Sequence, residues 1–252
     1  MALCYGCMAQ PRHLREPPIS EAVIDIRVRL DAPAESIDFS RLGQRIHQDF
    51  PKREQRHGVH FVIDAAARTT TATPRPGGFL YRSADGTEVV QSKPEGFAFS
   101  RLKPYQDWDR FSAEAVRMWN QYKEEFGPQR VIRVATRFIN RLTLPPFLDF
   151  DDYLTIAPRL PQKIPQQLSA FSTAVTVPEI AEGCLALIRT KFDSPAPAAD
   201  STIVLLDIDV LHECDMDPDD GEALRAALDH LRQLKNRIFF GSLTERAVEI
   251  FA

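Results

Sequence analysis

Arginine and aspartate residues recur at alternate positions in three stretches of the sequence, and these residue types suit phosphate and metal binding. The stretches are 21–30, 129–142 and 202–212. An arginine guanidinium can hold a phosphate through two parallel hydrogen bonds, and carboxylate oxygens are the preferred ligands of Mg²⁺ and Mn²⁺. The candidate anion-binding residues are Arg27, Arg133, Arg137 and Arg141, and the candidate metal ligands are Asp25, Asp207 and Asp209.

These side chains can share a surface only if extended strands position them. In the central stretch, QRVIRVATRFINRL, side chains of a strand would alternate between two faces. Arg133, Arg137 and Arg141 then share a face, which also carries Val131, Ala135 and Ile139. The opposite face would carry Ile132, Val134, Thr136, Phe138, Asn140 and Leu142. The pattern predicts a long strand with one core face and one arginine-bearing face.

The other two stretches alternate in the same way. Asp25 and Arg27 are two residues apart, as are Asp207 and Asp209, so each pair would lie on one face of its strand. If the strands converge, acids and bases form one site, as they do in triphosphate tunnel enzymes. In the more ordinary interpretation the charges pair across a solvated antiparallel sheet. The sequence favours the second interpretation. A face that docks an anionic partner or nucleic acid through its arginines and the enzyme site are left as alternatives.

Composition narrows the class of protein. Hydrophobic residues make up 44% of the 252 residues and the formal net charge is −4, so nucleic acid is not a favoured partner. No apolar run reaches the length of a membrane span, and the N-terminus lacks the apolar core of a signal peptide. Cys4 and Cys7 form a single CxxC, which is too few ligands for a structural zinc site. These features predict a cytoplasmic protein, and Met8 is a plausible alternative start.

Periodicity predicts the secondary structure. Apolar residues at three- and four-residue steps predict long amphipathic helices at 107–126 and 221–236, and Ser242 with Glu245 suggests the capping box of a last helix. The Thr-, Pro- and Gly-rich segment 69–78 is interpreted as a loop. Together with the alternating strands, this predicts an α+β fold: antiparallel sheets with long amphipathic helices packed on one face, in two similar halves.

Proline content sets the predicted domain boundaries. Five prolines between 145 and 165 indicate a connection between two halves. We expect a flexible tail at 1–16, a first half at 17–144, a connection at 145–167 and a second half at 168–252.

Four sequence blocks resemble those of a sporadically distributed bacterial family of proteins of this size. The blocks are PPISEAVIDIR at 17–27, LKPYQDWDRF at 102–111, RFINR at 137–141 and FGSLT at 240–244. The resemblance implies no established activity, and therefore no catalytic residue to assign. Its sporadic distribution is typical of mobile or defence loci.

The sequence therefore predicts a cytoplasmic, non-enzymatic binding or regulatory protein with a protein partner. A homodimer is left open, no membrane contact is expected, and no cofactor is expected. The alternative is a divalent-metal-dependent phosphohydrolase that acts on triphosphates or nucleotides through the charged sheet face. Mg²⁺ or Mn²⁺ is expected only under that alternative, so the question of an enzyme stays open.

Overall fold

The computed structural model describes residues 12–33, 36–64, 69–146, 149–193 and 200–252, with the backbone alone for residues 57–64 and 69–76. The first eleven residues, with Cys4 and Cys7, lie outside these ranges. The strands are β1 (Ile19–Arg29), β2 (Lys52–Asp64), β3 (Thr69–Arg82), β4 (Glu88–Lys93), β5 (Gly96–Leu102), β6 (Arg130–Leu144), β7 (Ala170–Glu179), β8 (Cys184–Asp193) and β9 (Thr202–Met216). The helices are α1 (Leu42–Ile46), α2 (Trp108–Phe126), α3 (Gly221–Gly241) and α4 (Glu245–Glu249).

All nine strands belong to one antiparallel sheet, in the order β2-β3-β4-β5-β1-β6-β9-β8-β7. The predicted α+β class, with several sheets and long helices in two similar halves, is therefore wrong: the fold is dominated by one large sheet. The two predicted halves contribute strands to the same sheet, because β6 pairs with β9 along most of its length. The proposed domain boundaries remain a prediction.

The predicted arginine-bearing strand is β6. Its side chains alternate, with Val134, Phe138 and Leu142 fully buried and Arg137 and Arg141 exposed. The prediction assigned Val131 and Ile132 to the wrong faces of the strand, because Val131 is buried and Ile132 is partly exposed. The register shifts between Val131 and Arg133 against β9, and such a bulge moves one residue to the other face.

The segment 69–78, predicted as a loop, is the first part of β3 and pairs with β2. Proline lacks a backbone N–H and is tolerated in strands where that group would have no ladder partner. β4 pairs only with residues 79–82 of β3. Pro74 and Pro76 therefore lie where β3 has a neighbouring strand on one side.

Two helices cover one face of the sheet. α2 packs on β5, and α3 packs on β6 and β9. Asp107 caps α2 by accepting a hydrogen bond from the Arg110 amide, and Gly127 ends it at a φ of +53°. The last helix begins later than predicted, because Thr244 rather than Ser242 caps α4. The core lies between this helix pair and the sheet, around Phe97, Phe99, Phe138 and the aromatic residues of α2.

No helix among the described residues combines the length and the hydropathy of a membrane span.

Candidate functional site

The face of the sheet opposite the helices carries the residues predicted from alternation, and we call it the open face. Cross-strand register places Arg137 of β6 between Val23 of β1 and Asp209 of β9, and Ile139 beside Asp207. The polar side chains of the open face that interact with one another are Asp25, Arg27, Lys93, Arg133, Arg137, Arg189, Asp207 and Asp209. The sequence placed each set of acids and bases on one face of its strand, and the sheet brings these faces together on one surface.

Asp25 lies at the centre of one group of charges. Lys93 Nζ donates a short hydrogen bond to Asp25 Oδ2. Asp25 Oδ1 lies 3.7 Å from Arg133 and 3.9 Å from Arg27. These distances are too long for hydrogen bonds, and Asp25 Oδ1 and Arg133 Nε have no hydrogen-bond partner among the described residues. Asp25 is therefore surrounded by three cations.

Asp207 lies at the centre of a second group. Arg137 donates two hydrogen bonds of 2.8 Å to its two carboxylate oxygens, and Arg189 donates a third at 3.5 Å. This bidentate geometry is the strongest form of the arginine–carboxylate pair. It raises the pKa of Arg137 and occupies the fork that an external phosphate would use.

Asp209 differs from Asp207, although the two are only two residues apart. Burial raises the pKa of Asp209, while Arg133 and Arg137 oppose that shift. Arg141 lies further along β6, is exposed, and donates only a long hydrogen bond of 3.5 Å to Thr143. Across the described ranges, no three acidic, histidine or cysteine side chains come together to hold a metal ion. Asp25, Asp207 and Asp209 are therefore not gathered into a metal centre.

A cavity of about 140 Å³ lies on the opposite, helix-covered face, near the start of α2 and the second half of α3. Its walls contain Trp108, Tyr105, Asn140, Phe239 and Phe240, together with Leu14, Pro17, Pro18 and Ile19 from the segment leading into β1. Basic side chains also line it, namely Lys235, Arg232 and Arg12. The lining therefore combines apolar and aromatic surface with several polar groups, and ligand sites place convergent polar groups beside apolar surface in this way.

Lys235 is the unusual residue of this cavity, which we call the Lys235 pocket. Its Nζ lies 4.1 Å from the centroid of the Phe138 ring, and that ring is fully buried. Tyr105 packs edge-on against the same ring at 5.9 Å. No described carboxylate forms an ion pair with Lys235, so the amine faces aromatic surface without a counter-charge.

The nearby acids are engaged elsewhere. Asp107 caps α2, and Asp229 accepts a hydrogen bond of 3.1 Å from the Trp108 indole. Asp109 lies 3.8 Å from Arg232, which also lies over the Trp108 ring, and Arg12 pairs with Glu245. Arg12 and Arg232 therefore each have a carboxylate partner, whereas Lys235 has none within ion-pair distance among the described residues.

This environment changes the acid–base chemistry of the pocket. Burial, with a smaller contribution from the positive charge of Arg232, lowers the pKa of Lys235 to about 7. Burial also raises the pKa of the Tyr105 phenol, which therefore stays protonated. At neutral pH the pocket holds an amine that exists in both protonation states beside a protonated phenol.

Sequence reasoning missed the Lys235 pocket. Lys235 falls among the polar positions of an amphipathic helix, and that position gives no sign of burial. The sequence feature that could have indicated the pocket is the set of four blocks that carry the family resemblance. Each of them supplies wall residues: 17–19 from the first, 105–108 from the second, Asn140 from the third and Phe240 from the last.

A scan against protein-family models and a search of curated proteins return no match for this chain. The resemblance to the sporadic bacterial family therefore stays a prediction.

Proposed function

We propose that this protein is a binding protein that takes a small organic anion in the Lys235 pocket. The observation that supports this proposal best is the position of the Lys235 amine, in an aromatic-walled cavity without a carboxylate partner. Lys235 is partly buried. A partly buried cation without a counter-charge is disfavoured, and a bound anion would supply that charge. The proposal agrees with the binding role that the sequence favours, but it moves the site away from the open face.

The walls of the pocket suggest the form of the ligand. Lys235 and Arg232 would receive its anionic group, because both side chains line the cavity. Tyr105, Trp108 and Phe239 offer apolar surface for the rest of the molecule. The cavity is small, so we expect a carboxylate or phosphate monoester with a short apolar part.

A thermal-shift and calorimetric panel tests this proposal. The probes are straight-chain carboxylates from propanoate to hexanoate, benzoate and small phosphate monoesters, each carboxylate being paired with its neutral amide. Ligand bound only by the folded chain raises its Tm. We expect at least one anion to raise the Tm while its neutral counterpart does not, because the amine selects charge.

Matched variants locate the site. Lys235→Met should weaken binding of the active anion at least ~10-fold, which corresponds to about 1.4 kcal/mol. Lys191→Met serves as the control, since Lys191 lies on the surface and pairs with Asp193 at 2.8 Å. Equal binding by wild type and Lys235→Met, or no response to any anion, would overturn the proposal.

Cytoplasmic location and a protein partner remain proposals. The edge strand β7 favours a partner, because Val175 and Val177 are nearly half exposed and Ile180 beyond it is 88% exposed. The phosphohydrolase alternative gains no supporting observation, since the best-placed arginine fork is already occupied by Asp207.

A further inference from the structure

The Lys235 amine has the surroundings of a nucleophile as well as those of a cation. Lysine becomes nucleophilic when an apolar pocket or a neighbouring cation disfavours its ammonium form. The Phe138 ring beneath the amine supplies the first condition, and Arg232, one helical turn earlier on α3, supplies the second. Two carboxylates lie at the start of α2: Asp107 accepts a hydrogen bond from the Arg110 backbone amide, and Asp109 lies 3.8 Å from Arg232.

We infer that Lys235 forms an imine with the carbonyl carbon of a small oxo acid bound in this pocket. The inference rests on the proposed anion site and names its substrate class. The carboxylate of the oxo acid would stay with Arg232, while its aldehyde or ketone carbon reaches Lys235 Nζ. A ligand with both groups uses the two cationic side chains in different ways, one as a charge partner and one as a reactant.

The chemistry balances without a further reagent. The neutral amine of Lys235 attacks the carbonyl carbon, and proton transfer from nitrogen to oxygen gives a carbinolamine. Protonation of its hydroxyl group releases water, and the nitrogen lone pair forms the C=N bond. The phenol of Tyr105 lines the same cavity, and burial raises its pKa. It can therefore hydrogen-bond the departing hydroxyl group, while solvent supplies the proton.

Reductive trapping tests the inference on the full-length protein. Pyruvate and 2-oxobutanoate are incubated with the protein and sodium cyanoborohydride, which reduces an imine and spares the free carbonyl. Lactate and 2-hydroxybutanoate are the matched acids without a carbonyl. We expect one reduced adduct per chain from the oxo acids and none from the hydroxy acids. Peptide mapping should assign it to Lys235 with at least ~10-fold preference over lysines of ordinary pKa, which are almost fully protonated at pH 7.

Lys235→Arg separates the two proposals, because arginine retains the charge but cannot form this imine. It should still bind lactate and should yield no adduct. If oxo and hydroxy acids raise the Tm of the wild type equally and no adduct forms, the imine is refuted and the anion site stands. If no acid binds, the proposed function fails as well. Adducts spread over other lysines would also overturn the inference.

Discussion

The open face and the Lys235 pocket each contain a lysine against the sheet, and the two lysines differ in their partners. Lys93 on the open face donates to Asp25, and both side chains are 19% exposed. Lys235 meets the Phe138 ring and the cation Arg232. Asp25 balances the charge of Lys93 within the protein. Lys235 has no carboxylate partner among the described residues, and under the proposed function a bound anion supplies the missing charge.

This difference separates a charge that stabilises the fold from one that the fold tolerates at a cost. Cross-strand pairs of opposite charge contribute modestly to sheet stability. An ammonium group over an aromatic ring gains cation–π attraction but no neutralising charge. Burial therefore still disfavours its protonated form. Residues that reduce stability in this way concentrate at functional sites, so the pocket is the stronger candidate although the open face has more charges.

The largest expected effect comes from replacing each lysine by methionine. Lys235→Met should stabilise the protein by up to about 2 kcal/mol at pH 6, because it removes a partly buried ammonium group that has no carboxylate partner among the described residues. The pKa of Lys235 is lower in the folded than in the unfolded chain, so the unfolded chain binds more protons above pH 7. Wild-type stability should therefore rise from pH 7 upward, and the advantage of Lys235→Met should shrink. Urea unfolding at pH 6 and pH 9 measures both.

Lys93→Met should have the opposite sign, with a loss of about 1–2 kcal/mol at both pH values. It removes the hydrogen-bonded partner of Asp25 and leaves Arg133 and Arg27 at 3.7 and 3.9 Å. If both lysine variants destabilise equally at pH 6, the distinction between the two sites is wrong.

A smaller effect separates the two aspartates of β9. Asp207→Asn should cost about 1–2 kcal/mol, because it breaks the bidentate contact with Arg137. Asp209→Asn should instead gain up to about 1 kcal/mol at pH 7, since burial raises the pKa of Asp209 and its ionised form is the disfavoured one. That gain should vanish below about pH 4, where both folded and unfolded chains are protonated at this residue.

Thermal melts of both variants at pH 7 and pH 3.5 test the pair. Loss of stability in both variants at pH 7 would show that Asp209 is held by its arginines as firmly as Asp207 is.

The alternation of residue types was enough to predict which arginines share the open face, but not the irregularities within its strands. Period-two patterning correctly placed Arg133, Arg137 and Arg141 on one side of β6, because a strand fixes that geometry locally. It could not foresee the bulge that brings Val131 into the core, since bulges depend on pairing with β9. The strand at 69–78 was missed for the same reason, because its pairing with β2 outweighs the local tendency of its prolines.

The pocket could not be derived from local pattern at all. Its walls come from the chain start, the α2 entry, β6 and α3, which are far apart in sequence and meet only through the sheet order. Lys235 differs from other polar helix residues only in what its turn of α3 faces, namely Phe138. The sequence also could not predict that all the strands join one sheet, because the pairing of β6 with β9 joins segments on either side of a proline-rich connection.

The smallest expected effect concerns phosphate on the open face. ATP or an inorganic triphosphate with Mg²⁺ should change the wild-type Tm by less than ~1 °C, because Asp207 already fills the Arg137 fork and the three aspartates form no metal group. Asp207→Asn frees that fork, so any triphosphate binding should be stronger in this variant, and Arg137→Ala should remove it. A shift of several degrees in the wild type that requires both Mg²⁺ and Asp207 would reverse the comparison. Such a shift would favour the phosphohydrolase alternative, with the open face as its site, over the Lys235 pocket as the functional site.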